Sequence, residues 1–395
     1  MGRAILFRFA TVFGLLALLI CGLTFFLLKR RLKLSPTGNK LLLAFFTFVA
    51  ILMTVCPLIY RSLTNNFDSR LHDFVQFSQY FLMGWVGMTL LTLLALETFQ
   101  LLTSLALRQF DPTKRMFLTQ GFTRGLVAGT SLAAIGGYVQ ARLGPNIFPV
   151  TINLKTLPKE FDGLRLAQIS DLHLGPLIHQ KYLDHVVDQV LELDADIILL
   201  TGDLVDGTVE QLKHQIEPLL RLKARDGIYF CTGNHEYYSG AEEWIAFFES
   251  HGIHVFKNSN KILTRKATDG TDSKLMLAGI FDIHGDRFYE SHRSDPQKAA
   301  QTTEAVDCKV LLAHNPLSID GAAAAGFDLQ VSGHTHAGQF YPFVWVVQLV
   351  LKHVHGLYQI NSKTQLYVNQ GTGYWGPPNR LGKSSEITHF TLRKA

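Results

Sequence analysis

The chain has 395 residues, 47% of them hydrophobic and 17% charged, with a formal net charge of +5 and a pI near 8.9. Residues 1–146 carry 14 Lys and Arg against 4 Asp and Glu, which leaves 23 against 28 for residues 147–395, so the first part is +10 and the second −5. A basic excess set among apolar runs belongs to membrane orientation, and an acidic remainder argues against a phosphate-backbone binder, so no nucleic-acid partner is expected. Cys21, Cys56, Cys231 and Cys308 show neither knuckle nor disulfide spacing and read as small buried hydrophobes.

Four segments approach the length of about 20 apolar residues that spans a bilayer: residues 4–28, 41–60, 80–107 and, more weakly, 125–141. They predict a membrane region over 1–146. Arg8 lies near the end of the first span, where it can snorkel. Glu97, in the third, needs a partner, water or the interface. Lys29, Arg30, Arg31, Lys33 and Lys40 crowd between the first two spans, whereas Arg61 and Arg70 in the next loop are offset by Asp68 and Asp73. The positive-inside rule places the first of these loops in the cytoplasm. Alternation then sets the N-terminus outside, the stretch 108–124 inside and everything after the fourth span outside. TKRMFLTQGF, residues 113–122, resembles a twin-arginine export signal in which Lys114 replaces the first arginine before Arg115, and it leads to Val139-Gln140-Ala141. Both readings make this a multi-pass cell-membrane protein with residues 147–395 on the extracytoplasmic side.

From residue 149 onward the pattern becomes short apolar runs that end in polar, Gly-rich loops, with amphipathic stretches between them, as an α/β domain reads. The runs cover 164–169, 197–200, 228–231, 275–280, 310–313 and 327–331, with helices expected over 180–193 and 209–223. Just beyond these runs stand Ser170-Asp171-Leu172-His173, Gly202-Asp203-Leu204-Val205-Asp206, Gly233-Asn234-His235-Glu236, His314-Asn315-Pro316 and Gly333-His334-Thr335-His336. Loops past strand ends are where α/β folds build sites. His334 and His336 would point the same way on an extended backbone. A set of carboxylates, imidazoles and one amide suits Mn, Fe, Zn or similar ions rather than a thiolate site.

The ordered series Asp-x-His, Gly-Asp, Gly-Asn-His-Glu, His and Gly-His-x-His resembles the calcineurin-like metallophosphoesterases. It is similar to their membrane-anchored branch as well, through the closing segment Asn369-Gln370-Gly371-Thr372-Gly373-Tyr374-Trp375-Gly376-Pro377-Pro378-Asn379-Arg380. The resemblance covers residues 148–395 and implies two stacked mixed β-sheets flanked by helices, a four-layer sandwich, after an α-helical transmembrane region. It implies two divalent metal ions, Mn, Fe or Zn with Mg also admitted. One would be held by Asp171, His173, Asp203 and His336, the other by Asp203, Asn234, His314 and His334. It further implies attack of a metal-bridged hydroxide on a phosphoester or pyrophosphate, with His235 as the catalytic acid or charge stabiliser.

Glu236 could orient an imidazole or form a surface ion pair, and Arg380 could clamp phosphate or be a solvated charge. Asp282 and His284 are candidate cleft residues. The apolar run 340–351 either covers the core or forms a membrane-facing lip through Tyr341, Phe343 and Trp345. The lip would suit a lipid-linked substrate, a phosphodiester or a UDP-diacylglucosamine-type diphosphate. The competing reading is a non-catalytic metal-dependent membrane receptor or scaffold.

Overall fold

The computed structural model describes residues 2–63, 70–102 and 112–395. It divides into two compact units. The first comprises residues 1–142 with the short segments 340–346 and 376–382, and the second comprises 143–339, 347–375 and 383–395.

Among the described residues, the first unit is built on four long helices: α1 (Gly2–Leu32), α2 (Pro36–Leu63), α3 (Arg70–Leu102) and α4 (Pro112–Arg142). Among the described residues, three stretches are long and apolar enough to cross a membrane: Thr11–Leu32, Pro36–Val55 and Asp73–Leu102. The expected fourth span falls in α4, which runs continuously through Gly121, Gly125, Gly129, Gly136 and Gly137 and is less apolar than the other three. Ala17, Cys21 and Leu28 pack with Phe46, Val49 and Met53 and with Val86, Leu90 and Leu93. Hydrogen bonds from Trp85 Nε1 to Ser131 Oγ (2.9 Å) and between the hydroxyls of Thr89 and Thr130 (3.1 Å) tie α3 to α4. Leu15, Leu19, Phe48 and Leu101 turn outward, as apolar side chains can where the surrounding solvent is lipid.

Glu97 has partners: Arg31 Nε donates to its Oε1 at 2.7 Å and Arg30 pairs with the same oxygen, while Arg31 Nη2 reaches Gln100 Oε1 at 2.9 Å. The ends of α1 and α3 therefore lie at one face of the bundle. The side chains of Arg8, Cys56, Arg61, Asp68, Arg70, Arg108, Lys114 and Arg115 fall outside the described residues.

Segments 340–346 and 376–382 complete this unit. Phe340 packs against Met88 and Ala134, Tyr341 N donates to Leu381 O, and Arg380 N donates to Gly137 O at 2.9 Å. A Cβ on Gly137 would stand 1.9 Å from Asn379 Oδ1, so only glycine admits that approach.

The second unit is two six-stranded mixed sheets flanked by helices, preceded in the chain by the apolar helices, as the resemblance implies. The strands of one sheet are β1 (Asn146–Leu154), β2 (Arg165–Ile169), β3 (Ile197–Thr201), β4 (Ile228–Cys231), β5 (His254–Val255) and β12 (Glu386–Lys394), in the order β1-β12-β2-β3-β4-β5. The other holds β6 (Ser259–Lys266), β7 (Asp272–Gly279), β8 (Cys308–Leu312), β9 (Leu329–Ser332), β10 (Gly356–Gln359) and β11 (Gln365–Val368), in the order β10-β11-β9-β8-β7-β6. Leu166, Ile197, Leu199 and Phe390 meet Leu275, Leu277, Val310, Leu312 and Val331 between the sheets. Each such side chain contributes about 1.5–3 kcal/mol by leaving water.

The outer faces are covered too. Helix α5 (Gln180–Glu192) buries Leu183, Val186, Val187 and Val190, α7 (Ala241–Ser250) sets Phe248 against Phe230 at 4.8 Å, and α8 (Ile319–Ala324) packs Ile319 and Ala322 with Met276 and Leu311. Burial on both faces is why the central strands are continuous apolar runs. The helix expected over 209–223 is instead a turn, Val209–Leu212, and a 3₁₀ segment, Glu217–Arg221. Pro218 lacks an N–H and disfavours helix in the residue before it.

The run 340–351 forms α9 (Phe343–Val350), and it is not a buried cover: Trp345 is 61% exposed, Leu349 87% and Val350 77%, while Val344 alone is buried in it.

Candidate metal centre

Parallel pairing of β2, β3 and β4 in one sheet and of β7, β8 and β9 in the other sends successive loops out at the same strand ends. Asp171 and His173 follow β2, Asp203 follows β3, Asn234 opens α6 (Asn234–Ser239) after β4, His314 follows β8, and His334 and His336 follow β9. Five of these seven residues have positive φ: Asp171 53°, His173 53°, Asp203 52°, His334 73° and His336 49°. Such backbone costs roughly 1–3 kcal/mol per non-glycine residue and persists only where the surroundings impose it. The same angles change the account of His334 and His336. They are not set by strand alternation, because the loop is not extended. Thr335 lies between two left-handed residues and turns away to donate to Val354 O.

The donor atoms gather in overlapping triads: Asp171, His173 and His336; Asp203, His314 and His334; and His173, Asp203 and His235, each within 4.8 Å. His173 Nε2 lies 3.0 Å from His336 Nε2, and His336 Nε2 lies 3.4 Å from Asp171 Oδ1. In the second triad His314 Nε2 is 3.0 Å from Asp203 Oδ2 and 3.2 Å from His334 Nδ1. Asp203 Oδ2 is also 4.0 Å from His173 Nε2, so this carboxylate stands between both groups. Asn234 is 7% exposed, and its Oδ1 is a buried oxygen with no hydrogen-bond partner. Its side chain is also hydrogen-bonded with the Tyr238 hydroxyl, a contact that leaves that oxygen as the atom to meet a cation. Imidazole nitrogens 3 Å apart, carboxylate oxygens and an unmet amide oxygen fit divalent metal ions with mixed N/O ligands.

Neighbouring groups fix which atoms face inward. His314 Nδ1 bonds Thr201 O at 2.8 Å, and Asp206 holds His173 Nδ1 at 3.2 Å, leaving Nε2 of each ring to the centre. His334 N donates to both oxygens of Asp171 at 2.9 and 3.0 Å, and Ser170 Oγ adds a third contact at 2.5 Å. A Cβ on Gly333 would stand 1.9 Å from Ser170 Oγ and 2.1 Å from Asp171 Oδ2. The closing segment pins the same loop, with Thr372 N donating to Ser170 O and Gly373 N to Asp171 O.

The electrostatics follow from the crowding. Burial raises the Asp171 carboxyl, and neighbouring Asp203 adds to this. Burial also acts upward on Asp203, but the imidazoles of His314 and His235 hold it well below the usual carboxylate range. His314 is lowered by burial, yet the Asp203 carboxylate takes it well above an ordinary imidazole, with Asp282 contributing. Burial and the His314 charge push His334 down to about 3, so its ring stays neutral, the form in which an imidazole can bind a metal.

His235 stands beside the triads, its ring 4.5 Å from that of His173. Its backbone N donates to Asp203 Oδ1 at 2.7 Å and its Nδ1 lies 2.5 Å from Asp206 Oδ1. Burial lowers it, but the charges of Asp206 and Asp203 carry it to about 9. Sequence reasoning left Asp206 without a role. The sequence hint was a second carboxylate three residues after Asp203, but its reach to histidines of two other loops is tertiary.

Glu236 neither orients an imidazole nor sits at the surface. It is buried and accepts from Gly233 N (2.7 Å), Asp203 N (2.9 Å) and Leu204 N (2.7 Å), clamping the Asp203 loop. Asp282 is buried, its Oδ1 accepting from His284 N at 2.9 Å. Arg380 belongs to the helical unit and is fully buried there.

Residues 164–338 match the family model described as calcineurin-like phosphoesterase. A protein of Danio rerio named transmembrane protein with metallophosphoesterase domain is 37% identical over 270 residues, 67% of this chain and 61% of that protein. A Bos taurus protein of the same name is 34% identical over 295 residues, 73% of this chain and 66% of its own length. The chain thus spans less than two thirds of these two relatives. An uncharacterized metallophosphoesterase of Helicobacter pylori (strain ATCC 700392 / 26695) is 34% identical over 272 residues, 68% of this chain and 70% of that one.

Proposed function

This chain belongs to the calcineurin-like phosphoesterases, and on that premise we propose that it is a membrane-anchored, dinuclear metal-dependent hydrolase of a phosphoester or pyrophosphate bond. The observation that carries the reading is the convergence of seven donors from five loops, with Asp203 shared by two triads and Asn234 Oδ1 left unmet. Asp171, His173, Asp203 and His336 would hold one ion, and Asp203, Asn234, His314 and His334 the other. Two divalent ions so held supply Lewis acidity toward a phosphoryl oxygen and lower the pKa of a coordinated water.

The chain's own residues supply the rest. Asp206 holds Nδ1 of His235, so a proton on Nε2 can pass to the departing oxygen as its bond to phosphorus breaks. The raised basicity of His235 keeps that proton in place near neutral pH. His235→Ala in the purified full chain should retain metal while hydrolysis falls by roughly 10²–10⁴-fold. A wild-type protein that binds metal yet hydrolyses no monoester, diester or diphosphate would leave the receptor or scaffold reading in its place.

A lipid-linked substrate is favoured by α9, which leaves Phe343, Trp345, Leu349 and Val350 exposed only a few residues after the His336 loop in the sequence. Exposed apolar helices with Trp suit a membrane interface. Turnover of a bilayer-held ester should drop in Phe343→Ser/Trp345→Ser while turnover of a soluble ester is retained, and equal effects on both would remove this part of the proposal. An extracytoplasmic domain is supported by the basic cluster at the ends of α1 and α3, where Glu97 meets Arg30 and Arg31. A reporter active only outside the cytoplasm, fused after Ala141, should give signal.

A further inference from the structure

We infer that Trp375 and Tyr238 form an aromatic seat for a planar leaving group, an aryl ring or a nucleobase, beside His235. The inference rests on the phosphoesterase reading, because His235 marks the leaving-group side only if it delivers the proton. The Tyr238 ring lies 5.2 Å from that of His235, at an interplanar angle of 72°, and the Trp375 ring lies 5.4 Å from it at 73°. Trp375 also reaches His173, 6.5 Å away. Both rings keep solvent-facing surface: Trp375 is 43% exposed and Tyr238 45%.

Neither ring is loosely held. Trp375 N donates to Gln339 Oε1 at 2.9 Å, and Gln339 Nε2 donates back to Trp375 O at 3.1 Å. Gln339 is itself 6% exposed and takes a positive φ of 60° three residues after His336. One buried amide therefore fixes the tryptophan backbone to the loop that carries two metal donors. Tyr238 sits on α6, one turn after Asn234, and shares a hydrogen bond with that side chain. Aromatic surface held in place but left open gives up little side-chain freedom when a flat partner covers it.

Planar groups gain from such a surface and small alkyl groups do not. Stacking one base on an aromatic side chain is worth roughly five- to 150-fold in binding. A leaving group with a π face would lie against Trp375 or Tyr238 with its ester oxygen toward His235. Chemistry of this kind selects aryl or nucleoside phosphates over alkyl phosphates.

The test is calorimetric binding of phenylphosphonate and methylphosphonate to the metal-loaded full chain in detergent, alongside kcat/KM for phenyl and methyl esters. Wild-type protein should bind the phenyl compound at least about tenfold more tightly. Trp375→Ala and Tyr238→Leu should each cut that preference about fivefold or more, and Trp375→Phe should restore most of it. A preference unchanged in both variants, or no preference in the wild type, would overturn the seat. A wild type that hydrolyses no ester while keeping an aryl preference abolished in the variants would retain the seat and refute the catalytic reading instead.

Discussion

Asp206 Oδ1 lies 2.5 Å from His235 Nδ1, and the same carboxylate approaches His173 Nδ1 at 3.2 Å through Oδ2. One acid thus orients a candidate metal ligand and the candidate general acid together. Asp206→Asn keeps the shape but loses the charge and one acceptor, and outer partners of this kind typically cost about 10–100-fold in metal affinity or activity. Both kcat and metal affinity should fall. A loss in kcat alone would separate Asp206 from the metal site and leave it acting through His235 only.

Gly333→Ala should destabilise the protein without touching a donor atom. The new Cβ would fall inside contact distance of Ser170 Oγ and Asp171 Oδ2, and overpacking of a tight interior costs about 1–3 kcal/mol. Thermal unfolding should shift down and metal affinity should weaken with it. An unchanged melting temperature would mean that the Asp171 loop has room the structure does not show.

Glu236→Gln tests the clamp on the Asp203 loop. The carboxylate meets three backbone N–H groups from Gly233, Asp203 and Leu204. A glutamine offers one oxygen and turns an NH₂ toward the other donors, leaving at least one buried N–H unmet at about 1–3 kcal/mol. Lower denaturant midpoint with retained circular dichroism is the expected result, and equal stability would show that the loop holds without it.

Chelation should lower stability as well as activity. Asp171 and Asp203 are buried within one donor cluster, where each raises the cost of charging the other. A ligand that binds only the folded state, at 100 times its Kd, stabilises it by about 2.7 kcal/mol. The unfolding midpoint should therefore fall on chelation and rise in step with added Mn or Zn.

The central strands and the loops that carry the candidate donors are legible in the sequence because each central strand is a short apolar run, buried on both faces, that stops one or two residues before a polar donor. Ile197–Thr201 before Asp203 and Leu329–Ser332 before His334 are examples. Strand pairing between distant segments is not legible in the same way. β12 inserts between β1 and β2, with Asn146 opposite Glu386 and Thr388 opposite Gln168, a pairing across most of the domain that no local pattern announces. The spacing of His334 and His336 suggests an extended backbone, whereas both take positive φ, which packing from other loops imposes. The roles of Asp206 and Gln339, and the clamp that Glu236 makes instead of an imidazole contact or a surface ion pair, rest on partners from elements remote in sequence. Hydrophobicity leaves the run 340–351 open between a buried cover and an exposed lip, and the exposure of Trp345 and Leu349 speaks against the cover.

Metal stoichiometry measured on the purified full chain and on Asp203→Ala tests the two-metal account most directly, because Asp203 is the residue both donor groups share. The account predicts two divalent ions per wild-type chain, with Asp203→Ala losing affinity at both sites and hydrolysis falling with them. One ion or none in a fully active wild type, or two ions retained by an active Asp203→Ala variant, would contradict it.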